Sequence, residues 1–285
     1  LFKSGFITII GSTNVGKSSL LNNLINKKIS ITSQKSQTTR NQIMGICNHE
    51  NYQLIFIDNP GINLKKKIPK NQKNIVFKNI EEINIILFVV DQQYQNKDQK
   101  ILEKLNKYNK KIFLIINKID IFKKKILIDK IIISYLNHFK FDEIIPLSCL
   151  TKKNINNLKE KVLSYLKEGP LYFSKNTLTN ITKKELIEDF IREKIFYYVH
   201  KEIPYQCNFV LENIYFNQEK KKNEIFVLIL VKKNSQKKIL IGEKGKKIKK
   251  IGIDARIDIY KNLNMKVYLH LWVKIDKKNK LNIYN

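Results

Sequence analysis

Cysteine is scarce, with three residues in a chain of 285, at positions 47, 149 and 207. A scattered, odd set excludes a disulfide scaffold and a clustered zinc site. The four histidines (His49, His138, His200, His270) are just as dispersed, with no metal spacing and no nucleophile beside them. Glycine (nine) and proline (five) are too few for a low-complexity chain. No apolar run approaches the roughly 18 residues of a membrane-spanning helix; the longest lies near Ile83 to Val90. The first residues lead straight into a polar, glycine-containing loop, so no signal peptide is expected. Acid is the other thing in short supply. Asp and Glu number 25 against 54 Lys and Arg, a net charge of +29.

What is present is enough for a core. Apolar residues make up 43% of the chain, and the length suits about two domains. The expectation is a soluble, cytoplasmic protein. The charge favours an anionic partner. Its composition also speaks for drift in an AT-rich genome: only three cations are arginine (Arg40, Arg192, Arg256), and alanine occurs once, at Ala255. Local density is more telling. From Lys232 to Lys261, eleven cations stand against Glu243, Asp254 and Asp258.

Two patterns divide the chain. Up to about residue 170, short apolar runs alternate with helical spacing. Phe6–Ile10, Gln53–Ile57, Ile85–Val90, Ile112–Ile116 and Ile144–Pro146 read as buried parallel strands. Leu20, Leu21, Leu24 and Ile25 lie at helical spacing. The alternation predicts a doubly wound α/β domain over 1–171. Residues 172–184 read as a linker, and 185–285 as a second, α+β domain. There the expected order is α-β-β-α-α-β, from a helix at Leu186–His200 to a last strand at Lys266–Ile275, with a turn at Lys220–Asn223.

The first domain carries motifs in a fixed order. Gly11-Ser12-Thr13-Asn14-Val15-Gly16-Lys17-Ser18 fits the G-x-x-x-x-G-K-[ST] phosphate loop, with a strand before it and Ser19 opening a helix after it. Backbone N–H groups would curl around phosphate, Lys17 would neutralise β- and γ-oxygens, and the Ser18 hydroxyl suits Mg²⁺. Asp58, at the end of an apolar strand, suits the same metal, and the Gly61 N–H would approach the γ-phosphate. Asn59-Pro60-Gly61 alone is an ordinary turn; after a phosphate loop it reads as nucleotide-facing. Asn117-Lys118-Ile119-Asp120 follows another strand. The Asp120 carboxylate would accept from guanine N1–H and N2, which adenine cannot match. Lys118 would lie along the base, and Ser148-Cys149 would offer a backbone N–H to O6. The base is therefore guanine. Between Ser33 and Arg40 lies a polar stretch in which a threonine hydroxyl would complete the Mg²⁺ shell only with γ-phosphate bound. Ile62 stands where many GTPases place a water-orienting glutamine, so intrinsic hydrolysis is expected to be slow.

Together these motifs, with Gln37-Thr38-Thr39-Arg40, resemble the Era subgroup of translation-factor-class GTPases. Ile241-Gly242-Glu243-Lys244-Gly245-Lys246-Lys247-Ile248-Lys249-Lys250-Ile251-Gly252 is similar to that family's type II KH domain. Ile191-Arg192-Glu193-Lys194 and Ile203-Pro204-Tyr205 also look like its segments. The resemblance spans essentially the whole chain. It implies a ribosome-assembly GTPase, cycling between GTP and GDP, that binds the 3′ end of small-subunit (30S) ribosomal RNA as a monomer. The mechanism expected is a switch in which GTP and Mg²⁺ order Thr38, Thr39 and Gly61, reorienting the KH domain for RNA capture, and hydrolysis releases the complex. The resemblance also implies Thr39 as the switch Mg²⁺ ligand, a catalytic group alongside Lys17, Asp58 and Gly61, and a K⁺ ion held by Asn14. The family usually has threonine where Asn59 stands, alanine at Cys149 and proline at Thr13.

The residues support an RNA module on their own terms. Gly242-x-x-Gly245 suits a clamp on single-stranded backbone. Ile248, Ile251, Ala255 and Ile259 fall on one helical face. Lys246, Lys247, Lys249 and Lys250 would then project elsewhere, toward phosphates. Trp272, in an alternating strand, is expected in the core. Two other readings stay open: a binding module that holds GTP with negligible turnover, and a peripheral protein whose basic face meets the inner membrane surface. A tRNA-modifying relative is disfavoured, since there is no C-terminal catalytic cysteine and no second G domain.

Overall fold

The computed structural model describes residues 1–32, 42–59, 80–199, 203–217 and 222–276. The chain divides into two units, Leu1–Ile181 and Thr182–Asn285.

In the first unit, β1 (Lys3–Gly11), β2 (Ile43–Asn48), β3 (Tyr52–Asp58), β4 (Ile85–Val90), β5 (Lys111–Ile116) and β6 (Glu143–Pro146) form one sheet. The order is β2-β3-β1-β4-β5-β6. All neighbours are parallel except β2, which runs antiparallel to β3 at the edge. The five expected strands are there, and the reason is burial. All six residues of β4 are buried, so no polar alternation interrupts the apolar run. Helix α1 (Lys17–Ile25) follows β1 and buries Leu20, Leu21, Leu24 and Ile25, the four residues whose spacing predicts it. Helices α2 (Asn96–Leu105), α3 (Lys125–Leu136) and α4 (Ile155–Tyr165) complete the unit.

Residues 172–181, expected within a linker, are bonded to this unit. The N–H groups of Tyr172 and Phe173 both donate to Gln53 Oε1 at 3.0 Å, and Asn180 Oδ1 accepts from the Met44 N–H at 2.9 Å. The Leu178 carbonyl accepts from the Ile46 N–H at 2.8 Å. An edge strand leaves such donors open, and this segment satisfies them. The division between units therefore falls later than 171.

The second unit opens at a capping box. Thr182 Oγ1 accepts from the Glu185 N–H, while the Glu185 carboxylate accepts from the Thr182 N–H at 2.8 Å. Helix α5 (Lys183–Tyr198) and the short α6 (Ile203–Gln206) lead to β7 (Asn208–Asn217) and β8 (Lys222–Val231). Then come α7 (Asn234–Ile241), α8 (Lys246–Leu263) and β9 (Val267–Ile275). The sheet order is β7-β8-β9, with the first pair antiparallel and the second parallel. Lys222 and Asn223, expected in a turn, instead begin β8 and pair with Asn217 and Phe216. Ile251, Ala255 and Ile259 are fully buried on α8, and Ile248 is half-buried.

Trp272 is not in the core. It is 46% exposed, and Tyr268 equally so. Trp272 pairs with Leu228, and Phe226 with His270, on the face of β8 opposite its buried Ile225, Val227 and Ile229. Phe226 stacks on His270 with centroids 4.4 Å apart, and Trp272 tilts against Phe226 at 5.7 Å. The core-facing phase of the strand is the other one, carried by Val267 and Val273.

Candidate functional site: a nucleotide cradle and a glycine turn

The motifs of the first unit converge for a topological reason. β1, β3, β5 and β6 are mutually aligned, so their C-terminal ends lie at one edge of the sheet. Gly11 ends β1, Asp58 ends β3, Asn117 follows β5 and Ser148 follows β6 by two residues. Ligands of open α/β sheets bind at this edge.

The phosphate loop is fixed from inside. Lys17 is 7% exposed, and its Nζ donates to the Ser12 carbonyl at 2.7 Å. Burial pushes this ammonium down to about 8, against the pull of Asp58 and Asp91. An anionic phosphate arriving here would raise it again and hold the proton more firmly. Asn14 is exposed with φ of 67°, Thr13 is half-buried and Val15 is buried. Gly16 has φ of 98°, and a Cβ there would meet Asn117 Nδ2 at 2.2 Å. Only glycine fits.

Asp58 is fully buried, and burial pushes its carboxyl up to about 6 while Lys17, Ser18 and Ser30 oppose. Its Oδ2 accepts from Ser18 Oγ at 2.7 Å, and Ser30 Oγ lies 3.5 Å away. Its Oδ1 is buried with no hydrogen-bond partner among the described residues, as is Ser12 Oγ. A buried, unpartnered carboxylate oxygen beside a serine hydroxyl is a donor set suited to a hard cation such as Mg²⁺.

The base-reading loop is tied to the phosphate loop. Asn117 Nδ2 donates to the Val15 carbonyl at 2.9 Å. Lys118 Nζ donates to the Asn14 carbonyl at 2.7 Å and pairs with Asp91 at 2.6 Å. Asp120 Oδ1 accepts from Ser148 Oγ, which itself accepts from the Thr151 N–H at 3.1 Å. The Cys149 N–H, expected to serve guanine O6, donates to Asn117 Oδ1 at 3.1 Å. Burial pushes the Cys149 thiol up to about 12, which leaves it unreactive near neutrality. Asn23 Nδ2 donates to the carbonyls of Ser19 and Cys149 at 2.8 and 3.0 Å, joining α1 to the base loop.

Thr38, Thr39, Pro60, Gly61 and Ile62 lie outside the described residues. Asn59 is buried, and its side-chain amide bonds Thr8 and Gln42. Sequence reasoning missed Asp91, Ser30, Asn23 and Gln42. Asp91 had a signal, since it directly follows β4 at the same sheet edge.

In the second unit, Gly242 (φ 71°) and Gly245 (φ 76°) flank a single turn over Glu243–Gly245. A Cβ on Gly242 would meet Lys247 Cβ at 2.7 Å, whereas Gly245 faces open space. Glu243, Lys244, Lys246, Lys249 and Lys250 are exposed, and Lys247 is half-buried. Lys250 Nζ sits 5.1 Å over the Tyr198 ring. Among the described residues, no His, Cys, Asp and Glu cluster could hold a metal, and no helix is long and apolar enough to cross a membrane.

Known proteins share these features. Residues 6–118 match a family described as 50S ribosome-binding GTPase, and 202–280 match the KH domain. The curated GTPase Era of Geotalea uraniireducens is 40% identical over 282 residues, covering 97% of this chain and 94% of that one. GTPase Era of Clostridium kluyveri is 40% identical over 281 residues, covering 98% and 95%. An Era variant from Aquifex aeolicus, crystallised with GDP and tetrafluoroaluminate, is similar with a TM-score of 0.88 and 33% identity, covering 96% of this chain and 94% of that one. Era crystallised with MgGDPNP and nucleotides 1506–1542 of 16S ribosomal RNA gives 0.88 and 33%, covering 100% and 97%. On both the site and these relatives, the chain belongs to the Era family of GTPases.

Proposed function

We propose that this chain hydrolyses GTP slowly and uses the nucleotide state to gate capture of the 3′ end of 16S ribosomal RNA during small-subunit assembly in the cytoplasm. The observation that carries the reading is the tie between the two loops at the sheet edge. Asn117 and Lys118 grip the carbonyls of Val15 and Asn14, so base recognition and phosphate recognition share one rigid frame.

Gly11 to Ser19 would hold the phosphates, with Lys17 neutralising them. Asp120, aligned by Ser148, would accept from guanine N1–H and N2, with Lys118 along the base and Cys149 at its edge. Ser18 and Asp58 would hold Mg²⁺, which when bound neutralises charge on the β- and γ-oxygens. Thr39 is proposed as a further ligand, and Asn59 to Ile62 as the stretch that senses γ-phosphate, chiefly through the Gly61 N–H. Ile62 has no group that orients water. Water must therefore be placed by backbone, by a partner or by a K⁺ ion at Asn14, and turnover stays slow. In the second unit, Gly242 to Gly245 would admit RNA backbone closely, while Lys244, Lys246, Lys247, Lys249 and Lys250 supply charge. GTP, GDP and this RNA are the proposed partners of a monomer.

Steady-state hydrolysis tests the enzyme half, with the Lys17→Ala chain as blank. Turnover of GTP should exceed the blank at least about tenfold, and ATP should compete about a hundredfold less well, as expected where the Asp120 carboxylate loses its hydrogen-bond donors. Turnover indistinguishable from the blank would leave a structural GTP module instead.

A further inference from the structure

The ladder between β2 and β3 ends at the pair Ile43–Asp58. By continuation of that register, the next residues outward, Gln42 and Asn59, face one another. No backbone pair is recorded beyond Ile43–Asp58, but a side-chain bond is. Gln42 Nε2 donates to Asn59 Oδ1 at 3.1 Å. Asn59 Nδ2 in turn donates to Thr8 Oγ1 at 2.6 Å. Thr8 is on β1, opposite Ile57. One amide thus joins three adjacent strands at the sheet edge where the nucleotide motifs gather. Both Asn59 and Thr8 are buried, at 2% and 3% exposure, so the bond between them is shielded from water, while the Gln42–Asn59 bond is partly so. Threonine at 59 could not do this. It lacks a donor and an acceptor set apart on a planar group, and the reach to Gln42 would be lost.

The placement has a consequence for the reaction. Thr39 is three residues before Gln42, and Gly61 is two residues after Asn59. Gln42 and Asn59 therefore stand in sequence at the roots of the two chain segments proposed to sense the γ-phosphate. We infer that Asn59 is a positioning residue that, through Gln42 and Thr8, couples the segment carrying Thr39 to the segment carrying Gly61, so that holding one helps to hold the other for hydrolysis. The inference rests on the reading that this site turns over GTP. It also gives the departure from threonine at this position a physical role.

The test is a double-mutant cycle on the full chain, read as kcat and KM for GTP. The variants are Gln42→Leu, Asn59→Leu, both together, and the exchanged pair Gln42→Asn with Asn59→Gln, which keeps the combined side-chain length. Gln42→Leu loses one neutral hydrogen bond and should lower kcat about three- to tenfold, and Asn59→Leu, which loses two, should lower it at least as much. The double variant should be no slower than the slower single variant by more than about twofold, because the two groups act as one link. The exchanged pair should recover most of kcat, and KM should move less than kcat throughout. Asn59→Leu strands the Thr8 hydroxyl, so Gln42→Leu, at the half-buried end, keeps the test sound if the former does not fold. Multiplicative losses in the double variant, no rescue by the exchange, or an undiminished kcat in Gln42→Leu would overturn the link. Failure of the unaltered chain to exceed the Lys17→Ala blank would overturn the GTPase reading beneath it.

Discussion

Two glycine turns sit at the starts of α1 and α8, and they are built on opposite principles. The turn before α1 is filled. Its carbonyls at Ser12, Asn14 and Val15 each receive a side-chain donor, and Gly16 has Asn117 pressed against it. The turn before α8 is open. Nothing lies within 4 Å of where a Cβ on Gly245 would stand, and most of its lysines are exposed. A filled cradle fixes every donor before the ligand arrives, which gives discrimination between closely similar bases. An open turn with exposed cations gives affinity for phosphate that depends on salt. The first is built to choose a small molecule, the second to hold a polymer backbone.

The contrast can be broken first at Gly16. Gly16→Ala drives a methyl into Asn117 Nδ2, displacing an amide that makes two hydrogen bonds. At about 1–1.5 kcal/mol each, guanine nucleotide affinity should fall about 30- to 150-fold, read by fluorescent GDP titration. Asp120→Asn comes next. It replaces an acceptor pair by one acceptor and one donor, and GTP affinity should fall about a hundredfold while ATP affinity hardly changes.

Acidity offers an intermediate effect confined to the filled cradle. Asp58 takes up a proton as pH falls through about 6, so Mg²⁺-dependent nucleotide binding should weaken there. Lys17 in the nucleotide-free chain loses its proton as pH rises through about 8, so phosphate binding should weaken above that. Stability without nucleotide follows the opposite logic. The folded chain keeps the Asp58 proton that the unfolded chain has lost, so this contribution falls as pH rises from 3.8 to about 6. Lys17 releases its proton earlier when folded, so its contribution rises with pH from about 8 to 10.5. Thermal melts and GDP titrations across pH would check both signs.

The open turn should respond more gently. Lys249→Gln should reduce RNA affinity a few-fold and lower the salt slope of log K by about 0.7, the value for one phosphate contact on a single strand. Gly245→Ala meets no atom but must adopt φ of 76°, so its cost should stay near 1 kcal/mol of stability.

Much of this contrast was legible in the sequence, and the reason is locality. The phosphate loop, Asp58, the Asn117–Asp120 loop and the glycine turn are each short runs whose neighbours in sequence are their neighbours in space. Strands such as β4 were legible because burial on both faces leaves a continuous apolar run. Helix α3 was not, because isoleucines lie on both faces: Ile131 is 3% exposed while Ile126 and Ile133 are 57% and 56%. Edge strand β2 was missed as well; its Gly45 and Asn48 blur the β pattern. Trp272 misled because alternation gives two faces without saying which is covered. Asp91 was signalled only by its place after β4, whereas Ser30 and Gln42 meet Asp58 and Asn59 across the fold, and no local pattern announces them.

The nucleotide held in the filled cradle is proposed to govern what the open turn binds. Fluorescence anisotropy tests it most directly, using a short RNA matching the 3′ end of 16S ribosomal RNA and a scrambled control, with a non-hydrolysable GTP analogue and then with GDP. Tight binding of the matched RNA that weakens at least about tenfold in GDP, a coupling of the usual allosteric size, is the predicted result. Equal binding of matched and scrambled RNA in both nucleotide states would contradict it, and would reduce the lysines of α8 to generic charge.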